Sequence, residues 1–117
     1  MIYLLDTNAC IGHLTGRAPR VSEQLKQLSP SNVVLCSVVK AELWYGAQKS
    51  ARSKENLATL ERFFAPFASL PLDDHAAEIC GQIRAELERQ GTPIGPNDLL
   101  IASIAVAHGL TLVTRNI

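Results

Sequence analysis

The chain has 117 residues, of which 47% are hydrophobic and 19% are charged. This length and composition are typical of one folded domain and exclude a disordered tail. The eleven basic residues equal the eleven acidic ones in number, so the sequence lacks the strongly basic composition that marks many nucleic-acid-binding proteins.

The first half of the chain predicts two strands, each followed by two helices. The strands are short apolar runs that end at a polar residue, as in parallel strands buried on both faces. The helices are recognised from apolar residues at helical spacing and from the breaks between them, and Ser37 is expected to cap the third helix. In chain order the predicted elements are Ile2–Leu5, Thr7–Leu14, Val21–Leu28, Val33–Cys36, Val38–Gln48 and a helix from Leu57 to Pro66.

The second half predicts two more strands and two more helices. Asp73 and Asp74 open a long amphipathic helix that Gly91 closes. The last helix is apolar on almost every side, which predicts a central position. Strands that alternate with helices indicate an α/β protein with a parallel sheet covered on both faces. We expect a single domain over residues 1–117, with these last elements at Ser69–Leu72, Asp73–Gly91, Leu99–Ala107 and Leu110–Thr114.

Three acidic residues occupy positions where a parallel sheet places its ligand site, beyond the carboxyl ends of the strands. Asp6 follows the first strand, Glu42 lies in the helix after the second strand, and Asp98 begins the helix before the last strand. Glu42 stands out because its neighbours in sequence are largely apolar. A desolvated carboxylate needs a partner.

Each acid also has an ordinary structural interpretation. Asp6 can form an Asx turn or cap the helix that begins near Thr7. Glu42 can lie on the exposed polar face of its helix, and Asp98 can stabilise a helix N-terminus. Taken together, the three acids can converge on one edge of the sheet. Converging carboxylates repel one another unless a cation is bound, and oxygen ligands of this kind favour Mg²⁺ or Mn²⁺.

Four short segments that include these acids form a recognisable pattern. They are Leu4-Leu5-Asp6-Thr7-Asn8, Ser37 through Ala41-Glu42-Leu43 to Gly46, Gly95-Pro96-Asn97-Asp98-Leu99-Leu100-Ile101-Ala102, and Leu112-Val113-Thr114-Arg115-Asn116. In this order, and across the whole chain, the segments resemble the PIN-domain ribonucleases of the VapC toxin family. The resemblance implies a three-layer α/β/α PIN-like domain with a central, mostly parallel sheet. It also implies an endoribonuclease dependent on Mg²⁺ or Mn²⁺, with Asp6, Glu42 and Asp98 at the metal-binding positions.

The chemistry of such a site suits these residues. A cation held by carboxylates lowers the pKa of a bound water, orients it for attack on a phosphodiester and stabilises charge on the phosphoryl oxygens. No side-chain nucleophile is then required, and Asp6, Glu42 and Asp98 are the expected catalytic residues. Neighbouring polar side chains can orient carboxylates and waters by hydrogen bonding. The candidates for this role are Thr7, Asn8, Ser37, Thr114 and Asn116.

Candidate RNA contacts are basic and aromatic side chains. The resemblance implies structured RNA as the substrate, with tRNA favoured over rRNA. In the loops of such RNAs, single-stranded nucleotides can be splayed into a site. Trp44 and Tyr45, beside Glu42, can stack on a base or contribute to a protein interface. The candidates for phosphate contacts are Arg17, Arg20, Lys40 and Arg115, with Lys49 and the other basic residues of the first half.

The resemblance also implies protein partners. It predicts a homodimer, and a cognate VapB-like antitoxin whose C-terminal segment wraps around the toxin. It predicts contact with promoter DNA only through the antitoxin. No membrane partner is expected, because the longest apolar run, Leu99–Ala107, is too short to cross a bilayer. Met1 is not followed by the basic start of a signal peptide, so we expect a cytoplasmic protein.

The sequence departs from the family pattern at its C-terminal end. The family commonly has a fourth acid where this chain has Asn116 and then continues with a further strand, so we expect the chain to lack the family's C-terminal end. An alternative function is a catalytically impaired PIN domain that binds RNA or the antitoxin. A phosphoacceptor receiver domain also groups acids at this edge, but it needs a Lys after a late strand where this chain has Arg115.

The cysteines and histidines are not expected to take part in the site formed by the acids. Cys10, Cys36 and Cys80 lie far apart and lack a C-x-x-C spacing, which argues against a disulfide framework or a zinc site. Each is predicted to be a small buried apolar residue. The histidines are interpreted as surface or loop residues; they are His13, His75 and His108.

Overall fold

The computed structural model describes residues 1–114, which form a four-stranded parallel sheet flanked by six helices. The predicted α/β class and its layered architecture are confirmed. The elements are β1 (Tyr3–Leu5), α1 (Thr7–Leu14), α2 (Pro19–Gln27), a 3-10 turn (Pro30–Asn32), β2 (Val33–Cys36), α3 (Ser37–Lys49), α4 (Ser53–Phe64), β3 (Ala68–Leu70), α5 (Asp74–Arg89), α6 (Pro96–Ala107) and β4 (Thr111–Val113).

The strand order is β3-β2-β1-β4, and each neighbouring pair is parallel. The chain steps from β1 to β2 to β3 in one direction and then crosses back to β4 on the other side of β1. Because such crossovers are right-handed, the reversal puts α5 and α6 on the face opposite α1–α4. Ligands bind where the strand order reverses, outside the carboxyl ends of the strands. Asp6, directly after β1, lies at that point.

The core lies between the central strands and the helices that cover them. Leu4 and Leu35 of the strands are fully buried, as is Ile104 of α6. Burial of a side chain of this size contributes about 1.5–3 kcal/mol. The predicted central position of the last helix is borne out over most of its length, although Val106 on its outer side is 59% exposed.

The predicted cap of the third helix is wrong. Ser37 is the first residue of α3, Cys36 holds the N-cap position, and the Cys36 side chain makes no capping hydrogen bond. The Ser37 hydroxyl donates instead to the Leu70 carbonyl of β3, at 3.3 Å. By contrast, Asp73 caps α5 by accepting from the Ala76 N–H at 2.9 Å. Ser37 therefore ties the start of α3 to the edge strand.

The cysteines are mostly buried, as predicted. Cys10 and Cys36 are buried, whereas Cys80 on α5 is half-exposed. None of the helices among residues 1–114 is long and apolar enough to span a membrane.

The interpretation of His13 as a surface or loop residue is wrong. It lies in α1, half-buried, with its Nδ1 atom 2.7 Å from the Ser22 hydroxyl oxygen of α2. Its ring packs near Phe63 of α4, with ring centroids 5.6 Å apart. The His13 side chain of α1 therefore contacts both α2 and α4. Burial, and then the charge of Lys26, lowers the pKa of His13.

We expect removal of core volume to destabilise the protein in proportion to burial. Ile104→Ala, at a fully buried position, should lower the free energy of unfolding by about 2–5 kcal/mol because it leaves a cavity. Val106→Ala, in the same helix but exposed, should change it by less than about 0.5 kcal/mol. Urea unfolding of both variants measures the difference, and equal losses would contradict the packing described.

We also expect protonation of His13 to destabilise the fold. Because its pKa is lowered in the folded state, the unfolded chain binds the proton more readily. The free energy of unfolding should therefore fall as the pH drops below about 6.5. His13→Gln should remove this part of the fall. Chemical unfolding of both proteins across this pH range is the measurement, and an identical pH dependence would contradict the prediction.

Candidate active site

The site begins where β1 turns into α1. The Asp6 N–H donates to the Val113 carbonyl of β4 at 3.0 Å, which holds the turn against the neighbouring strand. Asp6 is the N-cap of α1, and its Oδ1 accepts from the Ala9 N–H at 2.7 Å. The interpretation of Asp6 as a helix cap is therefore confirmed. The capping hydrogen bond uses Oδ1, and Oδ2 takes no part in it.

Glu42 has a partner from a distant part of the sequence. The Thr7 hydroxyl, in the first turn of α1, donates to Glu42 Oε1 in α3 at 2.6 Å, and the two residues are 35 positions apart. Both side chains are half-buried. A hydrogen bond to an ionised group is shorter and stronger than a neutral one. This bond fixes the orientation of the carboxylate and leaves Oε2 for another partner.

Asp98 approaches from the opposite helical layer. It lies in the first turn of α6, after Pro96 at the helix start, and Gly95 is the N-cap without a side-chain hydrogen bond. Pro is favoured here because the first N–H groups of a helix have no partner within it. Asp98 therefore faces the positive end of the helix dipole.

An open cavity of about 550 Å³ lies between α1, α3 and α6. Its carboxylates are those of Glu42 and Asp98, and polar or charged side chains complete much of the lining. An adjoining cavity shares Glu42 and contains Ser37. The residues that line the first cavity are Thr7, Asn8, Ile11, Glu42, Tyr45, Gly46, Lys49, Asn97 and Asp98.

The cavity gathers only part of the predicted site. Glu42 and Asp98 line it together, with Thr7 and Asn8, whereas Asp6, the N-cap of α1, is not among the lining residues. Thr114 follows β4 and does not line the cavity either. Within residues 1–114, no group of three or more His, Cys, Asp or Glu side chains is arranged to hold a metal ion.

The predicted RNA contacts lie in several places. Arg17 and Arg20 are exposed around the start of α2. Lys40 is half-buried and its Nζ lies 5.0 Å from the centre of the Phe64 ring, outside the cavity lining. Arg115 and Asn116 lie outside the described residues.

The cavity lining fits a hard divalent cation. Its strongest ligands are carboxylate oxygens, and the amide oxygens of Asn8 and Asn97 can add to them. Neither His nor Cys is among the described lining residues, so the donors suit Mg²⁺ or Mn²⁺ better than Zn²⁺. Among the described ion pairs, none involves Glu42 or Asp98. No basic side chain of residues 1–114 therefore forms an ion pair with these oxygens.

The thiols near the acids are inert. Burial, then the charge of Asp6 and then that of Cys36, raises the pKa of Cys10 to about 12. Burial is also the main cause of the raised pKa of Cys36, and the charge of Glu42 adds to it. A thiol is nucleophilic and metal-binding only as a thiolate. Both cysteines therefore remain protonated at neutral pH.

Asn97 is a lining residue that the sequence did not single out. It directly precedes Asp98 in the sequence. Its position in the first turn of α6 puts it in the cavity. The available signal was its place inside the segment Gly95-Pro96-Asn97-Asp98.

Residues 3–117 match the model of the PIN domain family. The chain belongs to the PIN-domain family. Its PIN domain is 42% identical over 115 residues to the tRNA(fMet)-specific endonuclease VapC of Salmonella typhimurium, covering 98% of this chain and 86% of that protein. It is 39% identical over 118 residues to ribonuclease VapC2 of Rickettsia felis, covering 100% of this chain and 88% of that protein.

Solved structures give the same assignment. The crystal structure of VapBC2 from Rickettsia felis, bound to a DNA fragment from their promoter, matches this PIN domain with a TM-score of 0.92 and 38% identity. The match covers 99% of this chain and 88% of that one. Nucleases with a PIN domain generally depend on a divalent metal ion, which agrees with the oxygen donors of the cavity.

We expect the Thr7–Glu42 hydrogen bond to be measurable as a coupling energy. Thr7→Val and Glu42→Ala should each destabilise the protein. The double variant should lose about 1.5–3 kcal/mol less than the sum of the two single variants, because hydrogen bonds to charged groups contribute about that much. Urea unfolding of the four proteins provides the cycle, and Thr7→Ser should restore most of the loss.

Thr111→Val provides the matched control. Thr111 is exposed at the start of β4 and lines none of the cavities that contain Glu42. It should show no coupling to Glu42. A coupling energy near zero between Thr7 and Glu42 would mean that the bond does not hold the carboxylate in solution.

Proposed function

We propose that this chain is the toxin of a type II toxin–antitoxin pair and acts as an endoribonuclease on structured RNA. The observation that carries the proposal is the cavity in which Glu42 and Asp98 lie together, with Glu42 held by Thr7. Its similarity to relatives named ribonuclease or endonuclease VapC supports it.

The acids of the site are proposed to hold one or more Mg²⁺ or Mn²⁺ ions. Glu42 and Asp98 supply oxygens from the cavity wall, and Asp6 supplies Oδ2, which the helix cap does not use. When bound, such an ion makes a water molecule more acidic and stabilises charge on the phosphoryl group. Thr7 keeps one oxygen of Glu42 in place, so the carboxylate does not have to reorganise when RNA binds.

The proposed reaction is hydrolysis by water, without a covalent intermediate on the protein. Cys10 and Cys36 are excluded as nucleophiles because burial raises the pKa of each thiol. Ser103 is buried, and its hydroxyl donates to the Leu99 carbonyl at 2.7 Å. The polar side chains that line the cavity therefore serve to bind and orient the phosphodiester. In this role we include Asn8 and Asn97, with Ser37 at the adjoining cavity.

The proposed substrate is tRNA, in preference to rRNA. The Salmonella typhimurium relative is named a tRNA(fMet)-specific endonuclease, and a loop of a folded RNA can present unstacked nucleotides to an open cavity. Because tRNA functions in the cytoplasm, we place the activity there. Arg17, Arg20 and Lys40 remain candidate phosphate contacts outside the cavity lining. Arg115, beyond the described residues, remains a further candidate.

The proposed partner is a VapB-like antitoxin. The matching solved structures include VapBC complexes, and those from Rickettsia felis and Salmonella typhimurium are bound to DNA. We propose that this chain reaches promoter DNA only through its antitoxin, and that it forms a homodimer as the family resemblance implies.

A second function is favoured by one observation. Among residues 1–114, no three His, Cys, Asp or Glu side chains lie close enough together to hold a metal ion. A PIN domain with an incomplete metal site would bind RNA or the antitoxin without cleaving RNA. The two functions differ in one measurable property, which is cleavage that depends on a divalent ion.

We predict that the purified chain, freed of antitoxin, cleaves tRNA in the presence of Mg²⁺ or Mn²⁺ and not in EDTA. Asp98→Asn and Glu42→Gln should each reduce the cleavage rate about 100-fold or more, a barrier increase of about 2.7 kcal/mol. Gel analysis of purified tRNA and of rRNA from total RNA measures rate and substrate together. Glu78→Gln, at an exposed position on α5, is the control and should retain full activity.

The outcomes separate the two functions. Cleavage that survives EDTA, or survives Asp98→Asn, would contradict the proposed role of the acids. RNA binding without cleavage under every metal condition would favour the binding module.

A further inference from the structure

Tyr45 is an exposed aromatic residue at the cavity. It is 65% exposed, although it lies in α3 between the buried residues Leu43 and Ala47. Its neighbour Trp44 differs, because the Trp44 ring packs edge-on against Phe64 with centroids 5.1 Å apart. Trp44 thus belongs to the packing between α3 and α4. The Tyr45 ring projects to the side where Glu42 and Asp98 line the cavity.

Lys49 lies against this ring. Its Nζ is 4.9 Å from the centre of the Tyr45 ring, a cation–π contact between residues one turn apart. Among the described ion pairs none involves Lys49. It is also the basic residue among the described lining residues of the cavity. Its ammonium group is therefore positioned beside the ring and is not neutralised by a described carboxylate.

A nucleotide presents the two chemical groups that complement this pair. The face of a base stacks on an exposed aromatic ring, and the stacking tolerates any base. The phosphate beside it is neutralised by a lysine. An acidic cavity repels a phosphodiester, so a cation on its rim lowers the cost of bringing the backbone close to Glu42 and Asp98. Charge complementarity therefore favours a nucleic acid over a protein segment.

We propose that Tyr45 and Lys49 form a nucleotide-binding subsite next to the acids, which positions RNA for cleavage. Tyr45 stacks on an unpaired base, and Lys49 binds a phosphate of the same or the adjacent nucleotide. The subsite rests on the proposed function, because it assumes RNA as the substrate. It adds a determinant of binding that is separate from the acids.

The test is RNA binding measured without cleavage. We would measure fluorescence anisotropy in EDTA with a labelled single-stranded RNA of about ten nucleotides. This RNA is within the range of lengths that single-strand-binding sites cover. Tyr45→Ala should weaken binding about 5-fold or more, and Tyr45→Phe should retain it, since stacking needs only the ring. An RNA of the same length with abasic nucleotides should bind the native chain more weakly. The Tyr45→Ala variant should bind this abasic RNA no more weakly than it binds the intact RNA.

Lys49→Gln should act through charge. It should reduce the slope of log affinity against log salt concentration by about 0.7, the value for one phosphate contact on a single strand. Arg89→Gln is the matched control, because Arg89 is exposed at the end of α5 and outside the cavity lining. This control variant should change the affinity and the slope less than Lys49→Gln does.

The results decide between RNA and a protein occupant. Unchanged RNA affinity in both Tyr45→Ala and Lys49→Gln would overturn the proposal. Weaker dimerisation or antitoxin binding in these variants, with RNA binding intact, would also overturn it. If Asp98→Asn leaves cleavage intact while Tyr45→Ala weakens binding, the proposed role of the acids fails and the subsite stands.

Discussion

The site depends on the hydrogen bond from the Thr7 hydroxyl to Glu42 Oε1, at 2.6 Å. The half-buried Glu42 side chain loses part of its hydration on folding, and a hydrogen-bond donor replaces it. Thr7 supplies that donor from the first turn of α1, directly after the residue that caps the helix. The bond therefore fixes α1 against α3 and orients the carboxylate at the same time. With Glu42 placed, the cavity between α1, α3 and α6 contains two acids.

The topology of the sheet explains why these elements meet. The strand order β3-β2-β1-β4 reverses beside β1, so the two helical layers approach each other at its carboxyl end. Asp6 combines two functions there. Its Oδ1 stabilises α1 as an N-cap, and its charge adds to burial in raising the pKa of Cys10 beneath it. Asp6 thus stabilises α1 and also helps to keep the buried Cys10 thiol protonated, which excludes that thiol as a nucleophile. The Tyr45 and Lys49 pair completes the rim with the positive charge that the acids lack.

Much of the fold could be predicted from the sequence, because short apolar runs end sharply at polar residues. α1 and β2 have the predicted bounds, and Asp73 caps α5 as expected. The prediction for Ser37 failed because its hydroxyl is taken by Leu70 of a neighbouring strand, a tertiary contact that local preference does not contain. The partner of Glu42 was out of reach for the same reason, since it lies 35 positions away. Neighbours in sequence likewise did not distinguish Trp44, which packs inward, from Tyr45, which is exposed.

The central claim is that the cavity of Glu42 and Asp98 binds a divalent cation. The most direct measurement is a titration of the purified chain with Mn²⁺, following free Mn²⁺ by electron paramagnetic resonance. We expect saturable binding that Mg²⁺ displaces and that Asp98→Asn weakens by about 10-fold or more, as for the loss of a group that holds or orients a metal. Equal Mn²⁺ affinity in the native chain and in Asp98→Asn would contradict the claim.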